Sequence, residues 1–359
     1  MKVVSQDMRK QPQRPKRATL KDVAKLAGVS PTTVSFVING KDARISVATA
    51  DRVREAASEL MYSPNSLIRA LRFRRTETIG YCFPVRTSYL NVYVGAIFDG
   101  VHSGAEAAGY DLLIYRNRSE NPIDIEASMF LDGRIDGLIY WPGAETPTLD
   151  RLAGASLPTV ALLTTEVPDA LGYCAVDEPQ SADSAVEHLL GLGHERIAYV
   201  AAGTRLPHLA VRRDAFRAAL AARGVDLWGV HEGRWSREVC AGVVEEWFDR
   251  WNRPTAICCA YDGMAFDLIS ELDNRGIRVP EHVSIISYEG IVPGTGQDGV
   301  STLRQPVRAM GIWAAQSLAD LIGGTDATDL RRAFPSELVG GRTTARAMRP
   351  ETESVGVAR

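Results

Sequence analysis

Apolar side chains recur at helical spacing close to the start of the chain. Leu20, Val23, Ala24 and Ala27 fall at i, i+3, i+4 and i+7 and so share one face. Thr19 precedes them as a cap, Asp22 completes a capping-box pattern, and Gly28 follows where a positive φ costs little. Ser30 caps a second helix, with Pro31 in its first turn, where a missing N–H is harmless. Val34, Val37 and Ile38 form the inner stripe of that helix, and Thr32, Ser35, Phe36 and Asn39 point the other way. A third helix opens at Ser46, with Val53, Ala56, Ala57 and Leu60 inward. Two short helices, a tight turn and small polar side chains on the second helix predict a helix-turn-helix, which places a helix in the DNA major groove. An ordinary three-helix fragment would share the buried stripes. Phe36 stands apart: its ring, opposite the core stripe, could touch a thymine methyl or fold back over its own helix.

The pattern changes at Thr78. Short apolar runs, TIGYCF, DLLIYR, DGLIYW, PTVALL, RIAYVA, TAICCA and VSIIS, alternate with helical stretches such as Asn91–Gly109, Ser181–Gly191 and Met264–Gly276. Uninterrupted apolar strands separated by helices predict parallel sheets covered on both faces. About 270 residues is long for one such sheet, so the expected class is α/β, with two Rossmann-like lobes and a small all-α head.

Charge sharpens this division. Residues 1–75 carry 16 Lys+Arg and 6 Asp+Glu, a net of +10, and the remainder carries 25 and 38, a net of −13. A formal net charge of −3 therefore hides a basic head, the electrostatic footprint of a polyanion partner. A solvated charged surface is the plain alternative, but an excess at one end with a deficit over the rest is hard to assign to solubility alone. Residues 1–17 are polar and basic and read as a disordered tail that grazes phosphates.

No apolar segment follows the N-terminal charges as in a secretory signal, and no run of about 18 apolar residues would span a membrane. The expected compartment is the cytoplasm, on the nucleoid when bound to DNA. The five cysteines include Cys82, Cys258 and Cys259 in strand-like runs, which fits packed thiols in a reducing compartment. The six histidines are scattered, so no metal or cofactor is expected. A phosphate-binding G-x-x-x-x-G-K-[ST] loop and a G-x-S-x-G elbow are both absent, and GTGQDG at Gly294–Gly299 follows a strand without a helix start. These observations weigh against an enzyme. The basic head weighs against a transport receptor built from the body alone.

Residues Tyr62 to Arg75 read YSPNSLIRALRFRR. Ser63 and Pro64 can open a short helix with Leu67, Ile68 and Leu71 on one side, marginal unless it docks on a partner helix and on DNA. With the preceding helices, this segment resembles the LacI/GalR family of transcription regulators. The resemblance runs from about Ala18 to about Ala345, and its most specific stretches are ATLKDVAKLAGVSPTTVS, YSPNSLIRAL and RGIRVPEHVSIISYEG. It implies a basic tail over 1–17, a helix-turn-helix domain over 18–63, a hinge helix and linker over 64–76, a periplasmic-binding-protein-like effector-binding and dimerisation body over 77–349, and a tail over 350–359. The chain would cross between lobes near Ala175–Asp177, Arg304–Pro306 and Arg332–Pro335.

The resemblance also implies residue roles. Ser30, Pro31, Thr32, Thr33, Ser35, Phe36 and Asn39 would face the major groove, with Pro31 and Phe36 replacing more polar choices. Leu71 would wedge into the minor groove at the operator centre, with Asn65, Arg69 and Arg72 beside it. Arg212, in VRRDAF, would meet the effector, a guanidinium fork suiting a carboxylate or vicinal oxygens. Tyr93, Trp141, Asp177, Trp235, Asp262 and Glu289 would complete the pocket. Tyr261 stands where an asparagine is usual beside Asp262, and Glu289 where an aspartate is usual. Asp262 could instead cap its helix, and Trp235 could only pack. The implied function is a repressor that binds a near-palindromic operator as a homodimer and responds to a small molecule, a sugar or related metabolite, in the cleft. The tail ETESVGVAR lacks a leucine heptad, which favours a dimer over a tetramer.

Overall fold

The computed structural model describes residues 18–40, 44–63, 70, 75–83, 92–115, 127–143, 147–202, 207–233, 236–249 and 252–348. Both tails, the hinge positions Asn65, Arg69, Leu71 and Arg72, and Trp235 lie outside them. The chain divides between Thr76 and Glu77 into two compact units.

The first unit holds α1 (Leu20–Ala27), α2 (Pro31–Ile38) and α3 (Val47–Glu59). Each helix starts where a side chain can satisfy its orphan donors. Thr19 and Asp22 form both halves of a capping box, Ser30 Oγ accepts from Thr33 N at 3.1 Å, and Ser46 Oγ accepts from Thr49 N at 3.3 Å. Gly28 ends α1 at φ 67°, a conformation a side chain would resist. Val23, Ala24, Ala27, Val34, Val37, Ala50, Val53, Ala56 and Ala57 close one small core, with Leu20, Ile38 and Leu60 at its margin. Burying each valine contributes about 1.5–3 kcal/mol, which offsets the ordering of helices too short to stand alone.

The second unit contains two six-stranded sheets. The first uses β1 (Thr78–Cys82), β2 (Asp111–Tyr115), β3 (Gly137–Tyr140), β4 (Thr159–Leu162), β5 (Gly172–Val176) and β11 (Arg331–Phe334), in the order β11-β5-β4-β3-β1-β2, all parallel. The second uses β6 (Ile197–Ala202), β7 (Gly229–Gly233), β8 (Ala256–Cys259), β9 (Ser284–Glu289), β10 (Ser301–Arg304) and β12 (Glu337–Val339), in the order β12-β10-β9-β8-β6-β7. Among the described residues, only the edge pair β10–β12 is antiparallel. The helices are α4 (Val92–Ala107), α5 (Thr148–Gly154), α6 (Glu178–Gly191), α7 (Pro207–Ala221), α8 (Arg237–Phe248), α9 (Asp262–Asn274) and α10 (Val307–Gly323).

Every apolar run named from the sequence overlaps a strand, and the three named helical stretches overlap α4, α6 and α9, with α6 and α9 starting three and two residues earlier than expected. β3, β4 and β8 are buried at every position, as helices on both faces require. The strands that pattern did not flag are β5, β7, β10, β11 and β12. β7, β11 and β12 lie at sheet edges, where half-polar sequences such as GVHEG, RRAF and ELV suffice.

The chain leaves the first sheet after Val176. It returns after Arg304, when α10 packs on α4 and on β3, β4 and β5, and it leaves again after Phe334. The segments joining the lobes therefore bring residues distant in sequence to one cleft at the carboxyl ends of the strands. Among the described residues, no helix is long and apolar enough to cross a membrane, and no group of three or more His, Cys, Asp or Glu could hold a metal ion. All five cysteines are buried free thiols. Burial pushes the Cys82 thiol up to about 12 and those of Cys258 and Cys259 well above the ordinary value.

Candidate functional site: the α2 face and the interlobe cleft

On α2 and its C-cap, Pro31, Thr32, Phe36 and Asn39 are exposed, whereas Thr33 and Ser35 are partly covered. Phe36 keeps 45% of its surface open, so its ring is not folded away against the core. The polar neighbours are occupied within the helix. Ser30 Oγ and Thr33 Oγ1 lie 2.9 Å apart, and Asn39 Nδ2 donates to Ser35 O at 2.6 Å and Ser35 Oγ at 3.3 Å.

The cleft is organised around Arg212 on α7, which is 1% exposed. Its Nε donates to Glu178 Oε2 at 3.0 Å, its Nη2 to Glu178 Oε1 at 2.8 Å and its Nη1 to the Ala260 carbonyl at 2.7 Å. The guanidinium also lies 4.7 Å over the Tyr288 ring. Burial opposes the charge, but the Glu178 carboxylate and its hydrogen bonds outweigh burial and raise the Arg212 pKa. The fork expected to meet an effector is closed on Glu178, the first residue of α6, and the pair is neutral as a unit.

Asp262 is fully buried. Its Oδ1 accepts from Ser287 Oγ at 2.6 Å and Thr302 Oγ1 at 3.3 Å, and its Oδ2 from Gly290 N at 3.0 Å. Burial pushes its pKa up, and these hydrogen bonds pull against that rise. Asp262 therefore does not cap α9, whose N-cap is Tyr261 without a side-chain bond; it ties α9 to β9 and β10. Gly290 has φ 67°, and a Cβ there would stand 2.6 Å from Arg304 Cα, so only glycine brings this N–H to the carboxylate.

Glu289 ends β9 at φ 100°, a strained backbone for a residue with a side chain. Burial, and then the neighbouring Asp262, push its carboxyl up to about 8 against a smaller opposing pull from Arg212. Asp177 caps α6 by accepting from Gln180 N at 3.0 Å.

From the first lobe, Tyr93 on α4 donates its hydroxyl to Gln305 Oε1 at 2.9 Å. Trp141, just after β3, meets the Tyr93 ring edge-on at 6.3 Å and the His208 ring of the second lobe at 5.9 Å. Burial, reinforced by Arg212, pushes His208 down to about 3, so it is neutral at physiological pH. Trp141 Nε1, Gln305 Nε2, His208 Nδ1 and the Tyr288 hydroxyl are buried without a hydrogen-bond partner among the described residues.

The structure thus brings Tyr93, Trp141, Arg212 and Glu289 to one cleft and adds Glu178, His208, Tyr288 and Gln305, which sequence reasoning missed. Gln305 carried a usable signal, a polar residue between a strand and Pro306 at an expected crossing. Glu178 carried none, because its partner is 34 residues away.

Residues 19–65 match the bacterial regulatory proteins, lacI family, and residues 186–344 the periplasmic binding protein-like domain. The HTH-type transcriptional repressor PurR of Photobacterium profundum is 31% identical over 332 residues, covering 88% of this chain and 95% of that protein. The transcriptional regulator CelR, solved as a cellobiose complex, is 28% identical with a TM-score of 0.66, over 91% of this chain and 100% of that chain. The lac repressor dimer bound to operator and the anti-inducer ONPF shares the fold with a TM-score of 0.77 at 24% identity, over 92% of this chain and 100% of that chain. With a helix-turn-helix head, a two-sheet body and a repressor relative matched along nearly its full length, the chain belongs to the lacI family of bacterial regulatory proteins.

Proposed function

We propose that this chain is a homodimeric repressor of a near-palindromic operator, released or recruited by an uncharged, oxygen-rich small molecule of the sugar class in the interlobe cleft. The observation that carries the effector class is the state of Arg212. Its charge is already matched by Glu178, so an anionic ligand would meet no free cation there. The buried donors Trp141 Nε1 and Gln305 Nε2 suit hydroxyl or ring oxygens, and the Tyr93, Trp141 and His208 rings suit the apolar face of a sugar. The similarity to a regulator solved with cellobiose agrees with that class. Asp262 and Asp177 shape the cleft through the backbone they hold rather than by contacting the ligand.

A thermal-shift screen of neutral sugars, sugar acids and nucleosides tests the class, because a ligand selective for the folded cleft raises the melting temperature by mass action. Neutral sugars should stabilise the protein and shift its operator affinity about 5–150-fold, the range of ordinary allosteric coupling. Stabilisation by a sugar acid or a nucleoside alone would overturn the assignment.

On the DNA side, Leu71 supplies the minor-groove wedge, with Asn65, Arg69 and Arg72 against the backbone. Leu71→Ala should retain non-specific binding, since phosphate contacts survive, and lose most operator preference in a competition gel shift. Equal operator affinity in the variant would remove the wedge.

A further inference from the structure

The outer face of α2 has little hydrogen-bonding capacity left for a base. Its sequence, PTTVSFVI, holds no Arg, Lys, Gln, His, Asp or Glu. The bidentate readers of guanine and adenine are therefore missing from the helix itself. Asn39, the nearest amide, turns its Nδ2 back onto Ser35 O and Oγ, and the Thr33 hydroxyl is engaged with Ser30. What remains outward is Pro31, the Thr32 side chain, the far side of the Asn39 amide past the helix end and the Phe36 ring, 45% exposed, with Thr32 and Phe36 one helical turn apart on the same stripe. Val34 and Val37 anchor the opposite side, which holds that stripe outward.

An apolar stripe in a major groove finds one apolar feature on the base edges, the C5-methyl group of thymine. We propose that α2 reads methyl groups: Phe36, flanked by Thr32, packs on the C5-methyl of a thymine at a fixed step of each half-site, and this contact sets sequence preference. The proposal rests on the operator-binding reading above. It extends that reading to 5-methylcytosine, which presents the same methyl at the same position.

The test begins with selection of a preferred sequence by the full-length protein from random duplex DNA at fixed salt. Each thymine of that site is then replaced in turn by deoxyuridine, which deletes the methyl and keeps the Watson–Crick edge. One thymine per half-site should respond, with affinity falling about fourfold for one substitution and about 15-fold for both, the worth of one buried methyl at each. Phe36→Ala should bind the thymine and deoxyuridine sites equally, and Phe36→Leu should keep part of the difference. The melting temperature and salt slope should be unchanged in both, since Phe36 is neither core nor charged. A cytosine at the responsive step should weaken binding, and 5-methylcytosine should restore part of it. Methyl reading is overturned if no thymine responds, or if Phe36→Ala keeps the full response. If selection yields no preferred sequence at all, operator binding itself fails and methyl reading with it, an outcome distinct from a preferred site indifferent to deoxyuridine.

Discussion

The head and the cleft use polar side chains in opposite ways. In the head the bonds are local and exposed: Thr19 with Asp22, Ser30 with Thr33 and Ser46 with Thr49 span three residues, and Asn39 with Ser35 spans four. In the cleft they are buried and distant: Arg212 reaches Glu178 across 34 residues and Ala260 across 48, and Tyr93 reaches Gln305 across 212. Around α2 the head commits Ser30, Thr33, Ser35 and Asn39 to bonds within the helix and its caps and turns Pro31, Thr32 and Phe36 outward. The cleft surrounds buried polar atoms with aromatic rings and leaves several unmatched. A local exposed bond can be lost and replaced by water, whereas a buried charge has no substitute for its partner. The difference predicts where damage is graded and where it is severe.

The largest effect falls on the buried pair. Arg212→Ala strands the Glu178 carboxylate, Glu178→Ala strands the guanidinium, and each should destabilise the body by about 3–5 kcal/mol in urea or thermal unfolding. The double replacement Glu178→Leu with Arg212→Met removes both charges at similar volume and should recover most of that loss. A double-mutant cycle measures the coupling directly. If Arg212→Ala unfolds like the parent chain, the pair is not the organising element of the cleft.

The same contrast of range explains what the sequence disclosed. Caps and stripes in the head are read within a window of a few residues, and Thr19, Gly28, Ser30 and Ser46 stand in the structure where the pattern placed them. Strands buried on both faces, such as AICC in β8, announce themselves by composition. Edge strands do not, because one open side relaxes the demand for apolar residues, and most of RRAF in β11 fell within an expected lobe crossing rather than a strand. Arg212 was recognisable by motif, but its commitment to Glu178 was not, since that depends on α6 and α7 lying together. Asp262 likewise was expected in the pocket, with a helix cap as the alternative, and only the approach of β9 and β10 reveals the bonds it makes.

A smaller effect concerns Glu289. Its carboxyl is held up to about 8, against an ordinary value of 4.5 that the unfolded chain restores. Between these values the folded protein binds a proton the unfolded chain has released. Stability from this group is therefore full below pH 4.5, falls as pH rises and levels off above about 8. The slope is at most about 1.4 kcal/mol per pH unit, and less here because Glu289 is partly exposed to solvent. Melting temperatures from pH 5 to 9 should fall less steeply for Glu289→Gln than for the parent chain, with the variant the more stable at the alkaline end. Identical slopes would show that Glu289 ionises as an ordinary surface carboxylate.

The smallest effects belong to the head's caps. Thr19→Ala opens the capping box of α1, and Ser46→Ala removes the acceptor for Thr49 N at the start of α3. Each should cost about 1 kcal/mol of head stability, because water takes over part of the lost bond at an exposed helix end. The two sites share no hydrogen-bond partner, so the double variant should lose the sum to within about 0.5 kcal/mol. Amide exchange in α1–α3 reads this directly, and the unfolding of the body should not move. Additive losses in the head beside strongly coupled losses at Arg212 and Glu178 would establish that the reading head is assembled from independent local pieces, while the cleft responds as one unit. Coupling between Thr19 and Ser46 as large as that of the buried pair would erase the distinction, and the head too would then have to be treated as a single switchable element.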